Sequence, residues 1–352
     1  MIVMSSTATT LPILTQQPKI PVHLKLTGLL FVAMAGFLVY DQWVWWNTRE
    51  DYSFGFIVPL FVAYVLYERW PKIKGLLLQG EWDGKPVDGY SRRNNFLTSL
   101  AVFFTGCVAL GGLFTFGLGG FLQGITNNPL LPGSQALAFG FAVSLLSFAF
   151  LAAGWVQPAS GQTVPLKIRW YFMGLFVFPA LIWLLSVPML NFAERQISLF
   201  LLNQVTVVVF HTFDILAIPL ERQGNVLILE KGSVGVEDAC SGIRSLTACL
   251  FAGSFLAAVF LDRWWKKVLL VGFAMLFAFI MNIFRSLFLT AWAHMYGSES
   301  IDGAVHDYTG YAVLIFTCIG LLALLPLFNF KYKFTHDSAD DPPDLENEGT
   351  AQ

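Results

Sequence analysis

The chain has 352 residues, of which 56% are hydrophobic and only 12% charged, with a formal net charge of -2. Residues 94–166 contain no Asp, Glu, Lys or Arg at all. A soluble globular domain is excluded by that composition, and the chain falls among integral membrane proteins.

In chain order, residues 1–17 are polar and lack the basic-then-apolar order of a cleavable signal. Residues 1–23 are therefore expected to be a polar cytoplasmic segment, with the first hydrophobic stretch kept in the mature protein. Spanning a bilayer takes about 20 mostly apolar residues. Uncharged runs of that kind give about eight transmembrane helices, at 24–44, 54–67, 95–121, 136–155, 170–190, 245–261, 268–288 and 309–328. Together they make a membrane domain over 24–330.

Cytoplasmic loops carry the excess of Lys and Arg. With the N-terminus inside, all of the 21 basic residues fall in cytoplasmic segments except Arg49, Arg195, Arg222, Lys231, Arg244 and Arg285. Both termini are then cytoplasmic. One large outer segment remains, 191–244. Its part 197–213 is apolar but holds Asn203, Gln204 and His211, so it is expected to lie in the interface or re-enter. Next, 225–236 reads NVLILEKGSVGV, two β-rich stretches about Lys231-Gly232. The expected fold is thus an all-α polytopic membrane protein with a short extracytoplasmic β-hairpin before the sixth helix. The end, 331–352, is acidic from Asp337 to Glu348 and reads as a disordered cytoplasmic tail.

Cys107, Cys240, Cys249 and Cys318 have neither disulfide-framework nor CxxC spacing. Three of them sit in apolar runs as packing residues. Cys240 instead stands in Glu237-Asp238-Ala239-Cys240-Ser241-Gly242-Ile243-Arg244-Ser245, at the outer end of the sixth helix. A helix N-terminus and nearby Arg244 both favour the nucleophilic thiolate. Arg285 falls near the outer end of the seventh helix, with Asn282 one turn below on the same face. An arginine at that depth either faces a polar site or snorkels to the interface. His306 lies in the short outer loop 297–308 before the eighth helix, with His294, Asp302 and Asp307 as companions. A cysteine, an arginine and a histidine thus reach one membrane depth from three segments. That is the minimal equipment for thiol acyl chemistry.

The stretch 236–245, with Asn282 and Arg285, then His306 and Gly310, closely resembles the exosortase and archaeosortase family. Residues 51–59, DYSFGFIVP, also resemble that family, with Phe54 where its pattern has histidine. The resemblance runs from about Asp41 to Phe328. It implies a membrane-embedded, sortase-like cysteine transpeptidase of the bacterial inner membrane with its active site on the extracytoplasmic face. Cys240 would be the nucleophile, His306 the acid and base, and Arg285 the oxyanion or substrate ligand, with Glu237, Arg244 and Asn282 in support. The implied partners are exported proteins whose C-terminal sorting signal is a short motif, a hydrophobic helix and a basic end, together with an acceptor and membrane lipid. A link to exopolysaccharide production is also implied. No cofactor, metal or nucleic-acid partner is expected: the five histidines are scattered, and HExxH and GxSxG are absent. The rival readings are a transporter, which calls for charges or broken helices near the midplane, and a glycan-transfer or export component.

Overall fold

The structure, a computed structural model, describes residues 20–82, 85–86, 96–126, 130–155, 164–235, 243–301 and 303–329. Ten α-helices are described. They are α1 Val22–Thr48, α2 Val58–Lys74, α3 Phe96–Gly124, α4 Leu131–Ala152, α5 Leu166–Gly174, α6 Val177–Leu185, α7 Asn191–Ile215, α8 Ile243–Phe260, α9 Trp264–Tyr296 and α10 Ala304–Asn329. A 3-10 segment, Glu50–Ile57, joins α1 to α2, and a second, Ser298–Ile301, precedes α10. Strands β1 Glu81–Trp82 and β2 Lys85–Pro86 form a small antiparallel pair. A three-stranded antiparallel sheet follows α7: β3 Glu221–Gln223, β4 Val226–Leu229 and β5 Gly232–Gly235, with β4 central.

Seven helices are long and apolar enough to cross a membrane, and α5 with α6 makes an eighth if the bent pair is one span. The number matches expectation, but the membership does not. Helix α2 has only 17 residues and carries Glu68, Arg69, Lys72 and Lys74 near its end, whereas α7 has 25 residues and passes on length and composition. The segment 197–213, expected to lie in the interface or re-enter, falls within one unbroken helix, which excludes a re-entrant turn inside it and is compatible with an interfacial position. Asn203 and His211 lie on its exposed face and do not interrupt it.

Two ends of the bundle can be told apart. The upper end gathers Thr48, Ile243, Asn282 and Ala304, with the last turns of α9 rising beyond them; the lower end gathers Lys74, Leu166, Phe260, Trp264 and Asn329. Helix α7 starts at the upper end, where Arg49 pairs with Glu194. Leu201 lines a small gap with Leu246, Phe279 and Asn282. Further along, Leu202, Val205, Val209 and Phe213 pack with Phe279, Ile283, Leu287 and Ala291. The sheet that follows α7 buries Leu229 and Val234 against Leu289 and Ala293. So α7 runs in the same direction as α9 and leans on its upper half. The 33 residues of α9 measure about 50 Å against about 30 Å of hydrocarbon. The overhang is what carries α7 and the sheet.

The expected hairpin is present, turning at Glu230-Lys231, and β3 adds a third strand through Glu221 opposite Ile228. Its short, charged sequence gave no strand pattern.

Helices α3 and α4 pack through glycines. A Cβ on Gly119 would lie 2.7 Å from Leu137 N, and one on Gly140 would strike the Phe116 backbone. Small residues let membrane helices approach this closely. Between α5 and α6 the chain bends by 44°. The cause is Pro179, which has no N–H to offer the Leu175 carbonyl four residues earlier. Arg69 of α2 supplies the missing donor and also reaches the Ala258 carbonyl at 3.2 Å.

Candidate active site

The 3-10 segment sets the upper end. Gly55 lies against the Trp46 indole so closely that any Cβ would overlap the ring. Buried Tyr52 accepts the Met189 N–H at 3.1 Å, and Trp46 Nε1 donates to the Ser186 carbonyl at 2.9 Å. Burial pushes the Tyr52 phenol above its ordinary value. These bonds fix the 50–57 segment to the loop that leads into α7. On its other side the segment meets α8. Thr247 Oγ1 donates to the Asp51 carbonyl at 3.1 Å, and Phe54 packs on Phe251 with ring centroids 4.8 Å apart. Phe54, standing where the family pattern has histidine, is thus part of an aromatic stack that continues through Phe61, 5.3 Å from Phe251 and 4.0 Å from Phe255.

Helix α9 presents Asn282 and Arg285 one turn apart. Asn282 is buried, beside Leu201 and Leu246. The half-buried Arg285 reaches α10: Nη2 donates to the His306 carbonyl at 3.1 Å, and Nε reaches Thr309 Oγ1 at 3.4 Å. Thr309 Oγ1 in turn lies 2.8 Å from the His306 carbonyl. Gly310 sits beneath the guanidinium, where a Cβ would make ordinary contact at 3.6 Å. The His306 imidazole is 35% exposed, with Nδ1 3.6 Å from Asp307 Oδ1.

His306 therefore stands in the first turn of α10, not in the loop where the sequence placed it. Gly303, with φ +71°, closes the preceding turn, and the Asp307 N–H bonds back to its carbonyl at 3.1 Å. Hydropathy dates the helix from Thr309 because its first turn is polar. Acidic Asp307 in that turn suits the positive end of the helix dipole.

Arg244, in the first turn of α8, is exposed and pairs with Glu50 Oε2 at 2.8 Å. Glu237 and Cys240, with Asp302, lie outside the described residues. Residues 236–242 connect β5, which packs on the last turns of α9, to Ile243 at the start of α8. The structure thus brings together Arg285 and His306, with Asn282 on the same helix. Sequence reasoning missed Thr309, whose value lies only in its register with Arg285. It also missed the Arg49–Glu194 pair, whose partners stand far apart in the chain.

Beside that pair a cavity of about 530 Å³ opens between the 50–57 segment, the first turns of α7 and Ile243. Glu194 is mostly buried, and its Oε2 accepts no hydrogen bond among the described residues.

A polytopic helical membrane protein with an arginine and a histidine joined across two helices at one end is the class defined so far. The chain matches the family model of the transmembrane exosortases (Exosortase_EpsH) over residues 45–323, and it belongs to that family. No curated protein and no solved structure matches it. Membership supports a sortase-like transpeptidase role in general terms.

Proposed function

We propose that the protein is a membrane cysteine endopeptidase and transpeptidase acting on exported proteins with a C-terminal sorting signal. The Cys240 thiolate adds to a peptide carbonyl next to the substrate's transmembrane tail. His306 takes the thiol proton. The carbonyl π electrons move to oxygen, and Arg285 stabilises that oxyanion. When the tetrahedral intermediate collapses, the C–N bond breaks and His306 returns the proton to the leaving amine. A thioester on Cys240 is left, which an acceptor amine or water resolves, regenerating the thiol.

The observation that carries this reading is the bond from Arg285 to the His306 carbonyl, which joins two motif residues from separate helices in a chain of this family. A guanidinium has five N–H donors, so it can hold α10 and meet an oxyanion together. Cations gather at the lower end, in Arg69, Lys72, Lys74, Lys167, Arg263, Lys266 and Lys267. This supports a cytoplasmic lower end and an extracytoplasmic site in a bacterial inner membrane. Family resemblance supports the sorting signal and the link to exopolysaccharide production. Glu237, Arg244 and Asn282 are assigned supporting roles.

Mass spectrometry of new C-termini on exported proteins tests the reading. Cys240→Ala should abolish them, and the matched control Cys249→Ala should leave them unchanged. Processing that survives Cys240→Ala sinks the proposal and returns the transporter and glycan-export readings. A membrane-impermeant thiol reagent should also label Cys240 in intact spheroplasts; labelling only after permeabilisation overturns the orientation.

A further inference from the structure

The cavity beside Arg49 is separate from the Arg285–His306 pair, yet both border the first turns of α8. Ile243, three residues after Cys240 in sequence, lines the cavity. Leu246, about one turn on, lines the gap beside Asn282. The start of α8 is thus flanked by a polar cleft at Ile243 and by Asn282 of α9 at Leu246.

The chemistry of the cleft is mixed. Arg49 and Glu194 pair across its wall, with Glu194 Oε2 buried and unbonded among the described residues. Exposed Asn191 and Arg195, half-buried Asp51 and the Ser198 hydroxyl complete the polar lining. With Arg244 and Glu50 at its edge, three cations meet three carboxylates. A phosphate or a polyanionic glycan gains little net attraction from such a balance. A peptide is different, because it presents N–H donors, carbonyl acceptors and charged side chains side by side. The volume is also within the usual range for a bound small molecule or short peptide segment.

The walls are preformed. Thr247 ties Asp51 to α8, Arg244 ties Glu50 to α8, and Tyr52 holds the loop before α7. Binding there does not have to order the site first.

We propose that this cleft is the subsite for the polar, charge-bearing stretch of the polypeptide substrate that emerges from the membrane beside the scissile bond. The inference rests on the transpeptidase reading. Arg195 offers its guanidinium to a substrate carboxylate or carbonyl, while Asp51 and Glu194 take substrate N–H donors. The substrate's apolar helix stays in lipid.

The test uses a reporter fused to a C-terminal tail whose cleavage in this organism mass spectrometry has identified. A photo-cross-linking residue replaces Ser198 in the full-length Cys240→Ala protein, so binding is captured without turnover. Ser198 should capture the reporter, whereas the same probe at exposed Phe192 should not. Adding Arg195→Glu should reduce capture about tenfold, the size of one lost charge-assisted hydrogen bond. In the protein with Cys240 intact, Ser198→Trp should raise the KM for the reporter without slowing thiol alkylation of Cys240. Absence of capture at Ser198, or an unchanged KM in both Ser198→Trp and the surface variant Arg195→Glu, overturns the subsite. Normal cleavage with blocked transfer in Ser198→Trp would assign the cleft to the acceptor and also overturn it. If the wild-type protein fails to cleave the reporter at all, the transpeptidase reading falls first, and the two failures are thereby distinguished.

Discussion

At the lower end of the bundle, cations meet carbonyls that helix geometry leaves without partners. Arg69 donates to Leu175, orphaned by Pro179, and to Ala258 in the last turn of α8, while Lys266 donates to Phe328 in the last turn of α10. These are helix C-termini, where positive charge is favourable. At the upper end the pattern inverts. Arg285 donates to a carbonyl in the first turn of α10, where the N–H of Gly310 is already in register to bond it, and Arg244, in the first turn of α8, meets the carboxylate of Glu50 rather than a helix C-terminus, which is what Lys266 reaches from the first turn of α9. A helix N-terminus is the unfavourable place for a cation, by about 0.3–1 kcal/mol. The lower cations stabilise the fold. The upper ones bear a small electrostatic cost that an arriving anion, a thiolate or an oxyanion, would relieve.

Substitutions can break this contrast. The largest effect is expected from Arg285→Ala, which should lower the yield of new C-termini by about 10²–10³-fold, the usual cost of a lost oxyanion donor. The amount of protein in the membrane should not change. Arg69→Ala should do the opposite. It leaves two carbonyls unsatisfied, each charge-assisted bond being worth about 1.5–3 kcal/mol, so thermal stability in detergent falls while turnover per folded molecule holds. Equal stability losses in the two variants would erase the distinction. Arg285→Lys keeps the charge but not the planar fork, and processing should drop about tenfold. Arg244→Ala removes an exposed ion pair worth under about 1 kcal/mol. Its expected signature is a move of the Cys240 alkylation profile to higher pH; an unmoved profile would leave Arg244 only its tie to Glu50. Smallest is Lys266→Ala, about 0.3–1 kcal/mol in stability and nothing in turnover.

Hydropathy places α1, α3 and α8 to within about four residues, because they are long apolar runs, whereas α9 continues eight residues past its expected end through Thr290, His294 and other residues that lower its hydropathy. The misses have local causes. Asn203, Gln204 and His211 interrupt the apolar run of α7 and suggest re-entry, but Asn203 and His211 sit on its exposed face, so the helix continues unbroken. The break between α5 and α6 follows from Pro179, inside what hydropathy alone reads as one span. Hydropathy puts His306 in a loop because a polar first turn is invisible to a hydrophobic window. For the site, the motif and helix depth name Cys240, Arg285 and His306 as candidates, and among the described residues Arg285 and His306 meet through the His306 carbonyl. The cleft at Arg49 and Glu194 was not, since it depends on the long-range approach of α1 to α7.

The overhang of α9 makes membrane thickness a variable of the chemistry. Arg285 is mounted on a rigid helix at a fixed height above Lys266 and Lys267, so the bilayer decides whether its guanidinium meets water or hydrocarbon. Mismatch of a few ångströms tilts or sinks such a helix at modest cost. In proteoliposomes of increasing acyl-chain length, processing should fall once the hydrocarbon boundary rises past Arg285. The organism's lipid composition would then tune the proposed activity without touching a residue of the protein.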